Sequence, residues 1–321
     1  MEFLFRFAAI AGLALYLWRI NPWWAAFLVL AGVSHVYPAY TRESYLAFDV
    51  VLAGVVWFAV VASVLRRKDL PVLYNAIAVV CCINTLWQIL QLLELDPLFV
   101  SISEGPMPRV GFMLNQNFAG ALAAFCMPVF MRPKWRWGLA VVGVSLVLAE
   151  TSLAVFAAFV GLLFWGVAKK KIYLSLTAAV AGSVGYILLV DSPGFERWPV
   201  WRLGLLGWID EPWFGFGLGH WALLFSKPVR GAGPGIWVQA HNEFLQGMFE
   251  MGIGFVVVCA GYATRAWNAV RRRMNERLLI PAMALVIIAV NSAANFPFHV
   301  GATSIIAVTW MACFEIERGR S

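Results

Sequence analysis

Apolar residues run along the chain in long blocks, separated by charged clusters or by Pro, Gly and Asn breaks. A block of about twenty apolar residues is what a membrane-crossing helix needs. The blocks predict helices over 3–18, 22–37, 45–65, 71–93, 112–131, 137–149, 152–168, 172–190, 242–264, 278–291 and 300–314. The two that flank Glu150–Ser152 are short and joined by a tight turn. The first block lacks a small-residue cleavage site and runs almost directly into the second, so it reads as a retained span and not as a cleaved signal peptide. The fold class expected is all-α: a single polytopic integral membrane domain over 1–321 with about eleven transmembrane helices (about ten to twelve).

Composition agrees with this pattern. The chain of 321 residues is 62% hydrophobic and 13% charged, with a mean hydropathy of +0.78. Soluble domains average about 45–50% apolar and about 25% charged residues. A soluble enzyme, a disordered chain and a secreted disulfide scaffold are therefore excluded. The formal charge of +7 is not a nucleic-acid signature, because Lys and Arg in a membrane protein set orientation. The five cysteines all lie inside apolar runs without a CxxC spacing, and read as buried small hydrophobes.

The basic residues divide the loops into two sets. Seventeen of the 24 fall in one set: Arg19, Arg66–Lys68, Arg132, Lys134, Arg136, Lys169–Lys171, Arg265, Arg271–Arg273, Arg277, Arg318 and Arg320. The positive-inside rule makes these loops cytoplasmic. His35, His220, His241 and His299 then fall at or beyond the outer surface, as does the long segment 191–241. Chemistry is expected on that side. No internal repeat is visible, which weakens a transporter built from inverted repeats.

Segment 191–241 carries six of the sixteen tryptophans. Trp favours the interface between membrane and water, so the segment is expected on the bilayer surface, with short interfacial helices at Val200–Ile209 and Trp213–Phe225. An aromatic belt without chemistry is the plain alternative. Within it, Arg197-x-x-x-Trp201 is followed by Pro212, Gly215, Gly217 and Gly219. That glycine run does not follow a strand, which excludes a dinucleotide fold. It means either close backbone approach or a flexible loop. His241-Asn242-Glu243 comes next, with Glu250 and Gly252 beyond. His241, Leu245 and Gly252 share a face at helical spacing. His241 is either a general base or a polar anchor.

The stretch HNEFLQGMFEMGIG resembles the signature of the O-antigen ligase and O-antigen polymerase superfamily: His241 and Asn242, nine residues, then Gly252. The upstream Arg197-x-x-x-Trp201 and Pro212-x-x-Gly-x-Gly-x-Gly look like the same family, in order and distance. So does RVGFMLNQNFAGALAA at 109–124, with its Gly-x-x-x-Asn-x-Asn. The chain departs from the family pattern at Phe255 and at Leu153, where an arginine is common. The resemblance implies a GT-C-like membrane glycosyltransferase in the bacterial inner membrane, with its site on the periplasmic side. It would move a glycan from an undecaprenyl-diphosphate carrier to an acceptor hydroxyl, with His241 as base and arginines on the diphosphate. It implies no metal and no cofactor. Lipid A core as acceptor would make it a ligase, another lipid-linked repeat unit a polymerase, and a protein Ser or Thr a protein O-oligosaccharyltransferase. A transporter or flippase of a lipid-linked substrate is the reading from a different class.

The chemistry sorts the remaining candidates. Cleaving a sugar–diphosphate bond leaves anionic charge that a cation must stabilise. Arginine does this by bidentate contact, which selects Arg197, then Arg109 and Arg202, whose plain alternative is lipid headgroup contact. The carboxylate pairs Glu94/Asp96 and Asp210/Glu211 stand beside prolines, where turn and capping roles are common. His220 and His299 are alternative bases, and His220 also joins the acceptor-side candidates. Glu150 and Glu243 orient base or acceptor, or cap helices. Asn115, Gln116, Asn117 and Asn242 bind sugar hydroxyls or hydrogen-bond between helices.

Overall fold

A computed structural model of the chain describes residues 2–37, 41–96, 109–170, 197–225, 227–230, 237–273 and 275–319. The described residues are all-helical, without a strand. In chain order the helices are α1 (Glu2–Ile20), α2 (Pro22–Val36), α3 (Arg42–Val64), α4 (Leu70–Leu92), α5 (Gln116–Phe130), α6 (Gly138–Ala149), α7 (Ser152–Ala168), α8 (Trp198–Asp210), α9 (His220–Leu224), α10 (Glu243–Met251), α11 (Ile253–Arg273), α12 (Glu276–Ser292) and α13 (Gly301–Arg318). The predicted helix over 172–190 lies outside the described residues.

Local chemistry sets the helix starts. Thr41, Asn115, Thr151, Asn242 and Asn275 each occupy an N-cap with extended backbone and accept a backbone N–H of the first turn. Such a cap satisfies one of the four donors that a helix start leaves unpaired. The tight turn between α6 and α7 is present, with Glu150 in the left-handed region at φ 53°.

The core is organised around α5, buried at every position from Phe118 to Phe130. Helices α4, α6, α7, α12 and α13 surround it. Close approach depends on small residues, as expected where lipid removes the hydrophobic drive between helices. A Cβ on Gly120 would lie 2.6 Å from the Thr151 side chain of α7. Trp310 of α13 is fully buried and donates its indole N–H to the Phe125 carbonyl, 2.8 Å away. A second apolar cluster joins α1, α2 and α3 to α13.

The helix ends pair as the charge pattern requires. Arg67, between α3 and α4, reaches the carbonyls of Ile316 and Glu317 at the end of α13. Lys169 pairs with Glu276, and Arg265 with both the Ile20 carbonyl and Glu315. The basic loops thus gather at one end of the bundle. At the other end, Ser34 donates to the Glu250 carbonyl, and Leu218 N–H to that of Ser34.

Three expectations need correction. About eleven spans is too many. Among the described residues only α3, α4 and α11 are long and apolar enough to cross a membrane; α2, α5, α6, α7 and α12 are shorter than 18 residues, the apolar stretch of α1 is Ala9–Ile20, and α13 carries Glu315, Glu317 and Arg318. At 1.5 Å per residue a 12-residue helix such as α6 covers only about 18 Å of a hydrocarbon core roughly 30 Å thick. The apolar block 242–264 is not one helix: it breaks at Gly252, whose φ is +64° and whose Cβ position lies 2.4 Å from the Trp213 carbonyl oxygen. His241 precedes the N-cap at φ 51°, so His241, Leu245 and Gly252 share no helical face. Lastly, Trp213–Phe225 is helical only over His220–Leu224, because Gly215, Gly217 and Gly219 all adopt positive φ. The earlier of the two short helices is present as α8.

Candidate functional site

The site is built where the aromatic segment closes over α10 and the loop between α12 and α13. Phe216 N–H donates to the Phe249 carbonyl, 2.9 Å, and Gly217 N–H to that of Glu250, 3.0 Å. The glycine run therefore serves close approach: it satisfies the terminal carbonyls of α10, and a Cβ on Gly215 would lie 2.6 Å from the Phe249 oxygen. Beneath it, Val200, Trp221, Phe225 and Phe249 form a small core of their own. Two tryptophans of this segment fix the stretch before His241. Trp201 donates its indole N–H to the Ala240 carbonyl, 2.7 Å, and Trp221 to that of Trp237, 2.9 Å. Ala240 N–H in turn donates to the Gln246 side chain, 3.0 Å. Trp198 and Trp213 are exposed, as an aromatic belt would have them.

His241 is thereby held by its neighbours. Its ring packs edge-to-face against Trp237 at 5.4 Å and against Phe296 at 4.5 Å. Its Nδ1 is buried without a hydrogen-bond partner. Burial, and next the positive charge of Arg197, lower its pKa to about 4, so the imidazole is neutral at ordinary pH. Arg197, at the start of α8, donates from one guanidinium nitrogen to the Ala294 carbonyl, and burial lowers its pKa too. The structure brings these two together. A neutral imidazole beside a guanidinium with unused N–H groups is an arrangement that can accept a proton while holding an anion.

The other predicted residues are dispersed. Arg109 pairs with Glu150 at 3.1 Å, both partly exposed, at the end where α6 turns into α7. Gln88 and Gln91 of α4 hold this loop by hydrogen bonds to the Arg109 and Gly111 backbone. Asn115 caps α5 and Asn242 caps α10; these bonds use their side-chain oxygens within one helix start, a role that was not among the alternatives read from the sequence. Gln116 is exposed and Asn117 partly so. They stand next to Phe118, whose ring meets Phe296 at 5.0 Å. Arg202 is exposed on α8, five residues past Arg197. His220 starts α9, with Nδ1 3.3 Å from the Leu218 carbonyl oxygen. Asp96 is buried and accepts from Trp87 and Gln91.

Glu243 faces elsewhere. Its carboxylate accepts the Phe298 N–H at 2.8 Å and meets His299 Nδ1 at 3.3 Å. The other ring nitrogen of His299 lies 3.3 Å from Gln246 Nε2, which donates to Glu250, 3.2 Å. Partial burial works against a proton on His299, but the Glu243 carboxylate, by charge and hydrogen bond, and the charge of Glu250 outweigh it, so His299 titrates above an ordinary imidazole. These residues form the polar end of a long groove of about 850 Å³. One wall is the face of α11 from Phe255 to Val270. The facing wall comes from α2, α3, α12 and α13 and is apolar.

Sequence reasoning named His299 but missed the segment Asn291–Phe296 before it. Asn291, Ser292 and Asn295 are buried at the end of α12, and each leaves a side-chain atom without a partner. Asn295 donates to Asn291, 3.2 Å, and the adjacent Ala294 and Phe296 contact Arg197 and His241. Two asparagines four apart in an apolar block, followed by Phe-Pro, were the available signal.

Among the described residues no group of three or more His, Cys, Asp or Glu is placed to hold a metal ion. In comparisons with models of protein families and with curated proteins, the chain matches none.

Proposed function

We propose that the protein is a GT-C-like, polytopic membrane glycosyltransferase that moves a glycan from an undecaprenyl-diphosphate carrier to an acceptor hydroxyl on the periplasmic face of a bacterial inner membrane. The reading rests on the likeness of the 109–124, 197–219 and 241–254 stretches to the O-antigen ligase and polymerase superfamily. One observation carries it furthest: an imidazole held neutral, with an unpartnered nitrogen, stands beside the guanidinium of Arg197. In this reaction the acceptor oxygen attacks the anomeric carbon, and the bond from that carbon to the diphosphate oxygen breaks. The diphosphate leaves with the electron pair, and His241 takes the hydroxyl proton. Arg197 holds the departing charge with the N–H groups that Ala294 does not use, the geometry at which arginine exceeds lysine. Arg109 is bound to Glu150 and Arg202 is exposed, so both serve at most as outer contacts of the donor.

The test is turnover of a lipid-linked glycan by the pure protein in nanodiscs. Release of undecaprenyl diphosphate with formation of a new glycoside supports the reading. A glycolipid recovered unchanged on the opposite leaflet of a proteoliposome makes the protein a flippase. Neither product sinks both readings.

A further inference from the structure

The groove has a mouth whose charge does not suit the diphosphate that Arg197 is proposed to hold. Glu43, Glu243 and Glu250 stand at its polar end with Gln239, Gln246 and His299. Among the described residues that line it there is no Lys or Arg. The one basic group, His299, is already engaged by Glu243. Glu243 is paired with His299, and Glu250 is buried with its carboxyl pushed up by that burial, so Glu43 presents the charge that a ligand meets. A phosphate or diphosphate entering here finds a carboxylate and no unpaired cation, and such like-charge juxtaposition selects against it. Sugar hydroxyls suit the mouth instead, because they donate to carboxylate and amide oxygens.

The rest of the groove is hydrocarbon in character. The face of α11 that lines it, from Phe255 through Tyr262 and Trp267 to Val270, extends about 22 Å along the helix. The volume of about 850 Å³ lies within the roughly 300–1,000 Å³ of ordinary single-ligand sites. Its position relative to the base is equally informative. Phe296 packs against His241 at 4.5 Å and against His299 at 6.3 Å. Phe296 is therefore shared between the Arg197–His241 side and the acidic mouth, and the two adjoin.

We propose that this groove binds the acceptor: one lipid whose hydrocarbon tail lies between α11 and α3, and whose headgroup is a neutral, hydroxyl-bearing sugar held by Glu43, Glu243 and Gln246. Its role as acceptor rests on the glycosyl-transfer reading; the binding of a neutral glycolipid does not. It follows that the acceptor is carried by a lipid and not by a protein, and that its sugar reaches His241 from the mouth lined by Glu43 and His299, next to Phe296.

Photolabelling of the full chain, purified in a non-glycosidic detergent and placed in phosphatidylcholine nanodiscs, tests this. The probes are hexadecyl β-glucoside and hexadecyl phosphate, each with a diazirine in mid-chain. The glucoside should label peptides of α11 between Val258 and Val270, in a manner competed by unlabelled glucoside. The phosphate should label them at least about tenfold less. Glu43→Lys should lower glucoside labelling and raise that of the phosphate. Equal or stronger labelling by the phosphate in the wild-type protein, or glucoside labelling that does not compete, overturns the assignment. Transfer assayed on the same samples separates the two readings. Glucoside-selective labelling with transfer untouched in His241→Ala upholds the groove and removes the catalytic account. Phosphate-selective labelling with transfer lost in that variant does the reverse.

Discussion

If His241 is the base, the environment of its ring sets how activity responds to acid. A free imidazole titrates near 6.5, and burial together with Arg197 brings His241 to about 4. At about pH 5 a free imidazole would be neutral in only about 3% of molecules, and one titrating at about 4 in about 90%. The folded-state pKa is depressed, so the competent neutral form is present above it and is lost as pH falls through it. The acid limb of kcat/KM, which reports the free enzyme, should therefore lie near pH 4 and leave activity at pH 5 within about twofold of that at pH 7. Arg197→Met removes the second of the two causes and should move this limb towards higher pH in whatever activity remains. Donor binding should act in the same direction, because the diphosphate offsets the charge of Arg197; the limb in kcat should sit above that in kcat/KM. The assay is initial-rate transfer between about pH 3.5 and 8, with tryptophan fluorescence confirming the fold at each pH. A limb near 6.5 in kcat/KM, or one that moves to lower pH in Arg197→Met, would refute the assigned electrostatics.

Arg197→Lys keeps the charge but loses the planar fork, and should reduce transfer by roughly 10²-fold or more; near-normal transfer in the folded variant would remove the diphosphate role. EDTA should leave the rate unchanged, and inhibition reversed by Mg²⁺ would shift the chemistry to carboxylates. Gly215→Ala places a Cβ 2.6 Å from the Phe249 carbonyl oxygen at φ +69° and should destabilise by about 2 kcal/mol or more. Gly143→Ala, in open space on α6, should be neutral or stabilising by up to about 1 kcal/mol; thermal unfolding in one detergent checks both. Cysteines replacing Lys227 and Arg272 should react with an impermeant thiol reagent from outside and only after lysis, respectively, and the opposite pattern would invert the orientation.

The sequence was informative where one signal acts locally. The tight turn at Glu150 and the gathering of Arg67, Lys169 and Arg265 at one end follow from turn chemistry and charge placement. The apolar blocks overstated the number of spans, because hydropathy does not register how much of a block is consumed by turns. The break at Gly252 was hidden for a related reason: apolar residues continue through it, and it is imposed by the backbone of Trp213, far away in sequence. At the site, His241 and Arg197 were legible through their motifs. Their proximity was not, since it depends on Arg197 reaching the Ala294 carbonyl in the loop after α12. Glu243 was read as an acceptor-side residue, but its bond to His299 joins positions 56 apart and needed the fold. Asn242 was read as a ligand group and its side-chain oxygen caps α10, a role that the sequence reading did not name.

Single-turnover transfer by His241→Ala, with donor binding measured in parallel, tests the central claim most directly. The account predicts donor binding close to that of the wild-type protein and transfer slowed by roughly 10²–10⁴-fold, the contribution typical of one acid–base group. His220→Ala, whose ring Nδ1 lies 3.3 Å from the Leu218 carbonyl oxygen two residues earlier, should transfer within a few-fold of wild type. Wild-type transfer by His241→Ala, or loss in His220→Ala alone, would contradict it.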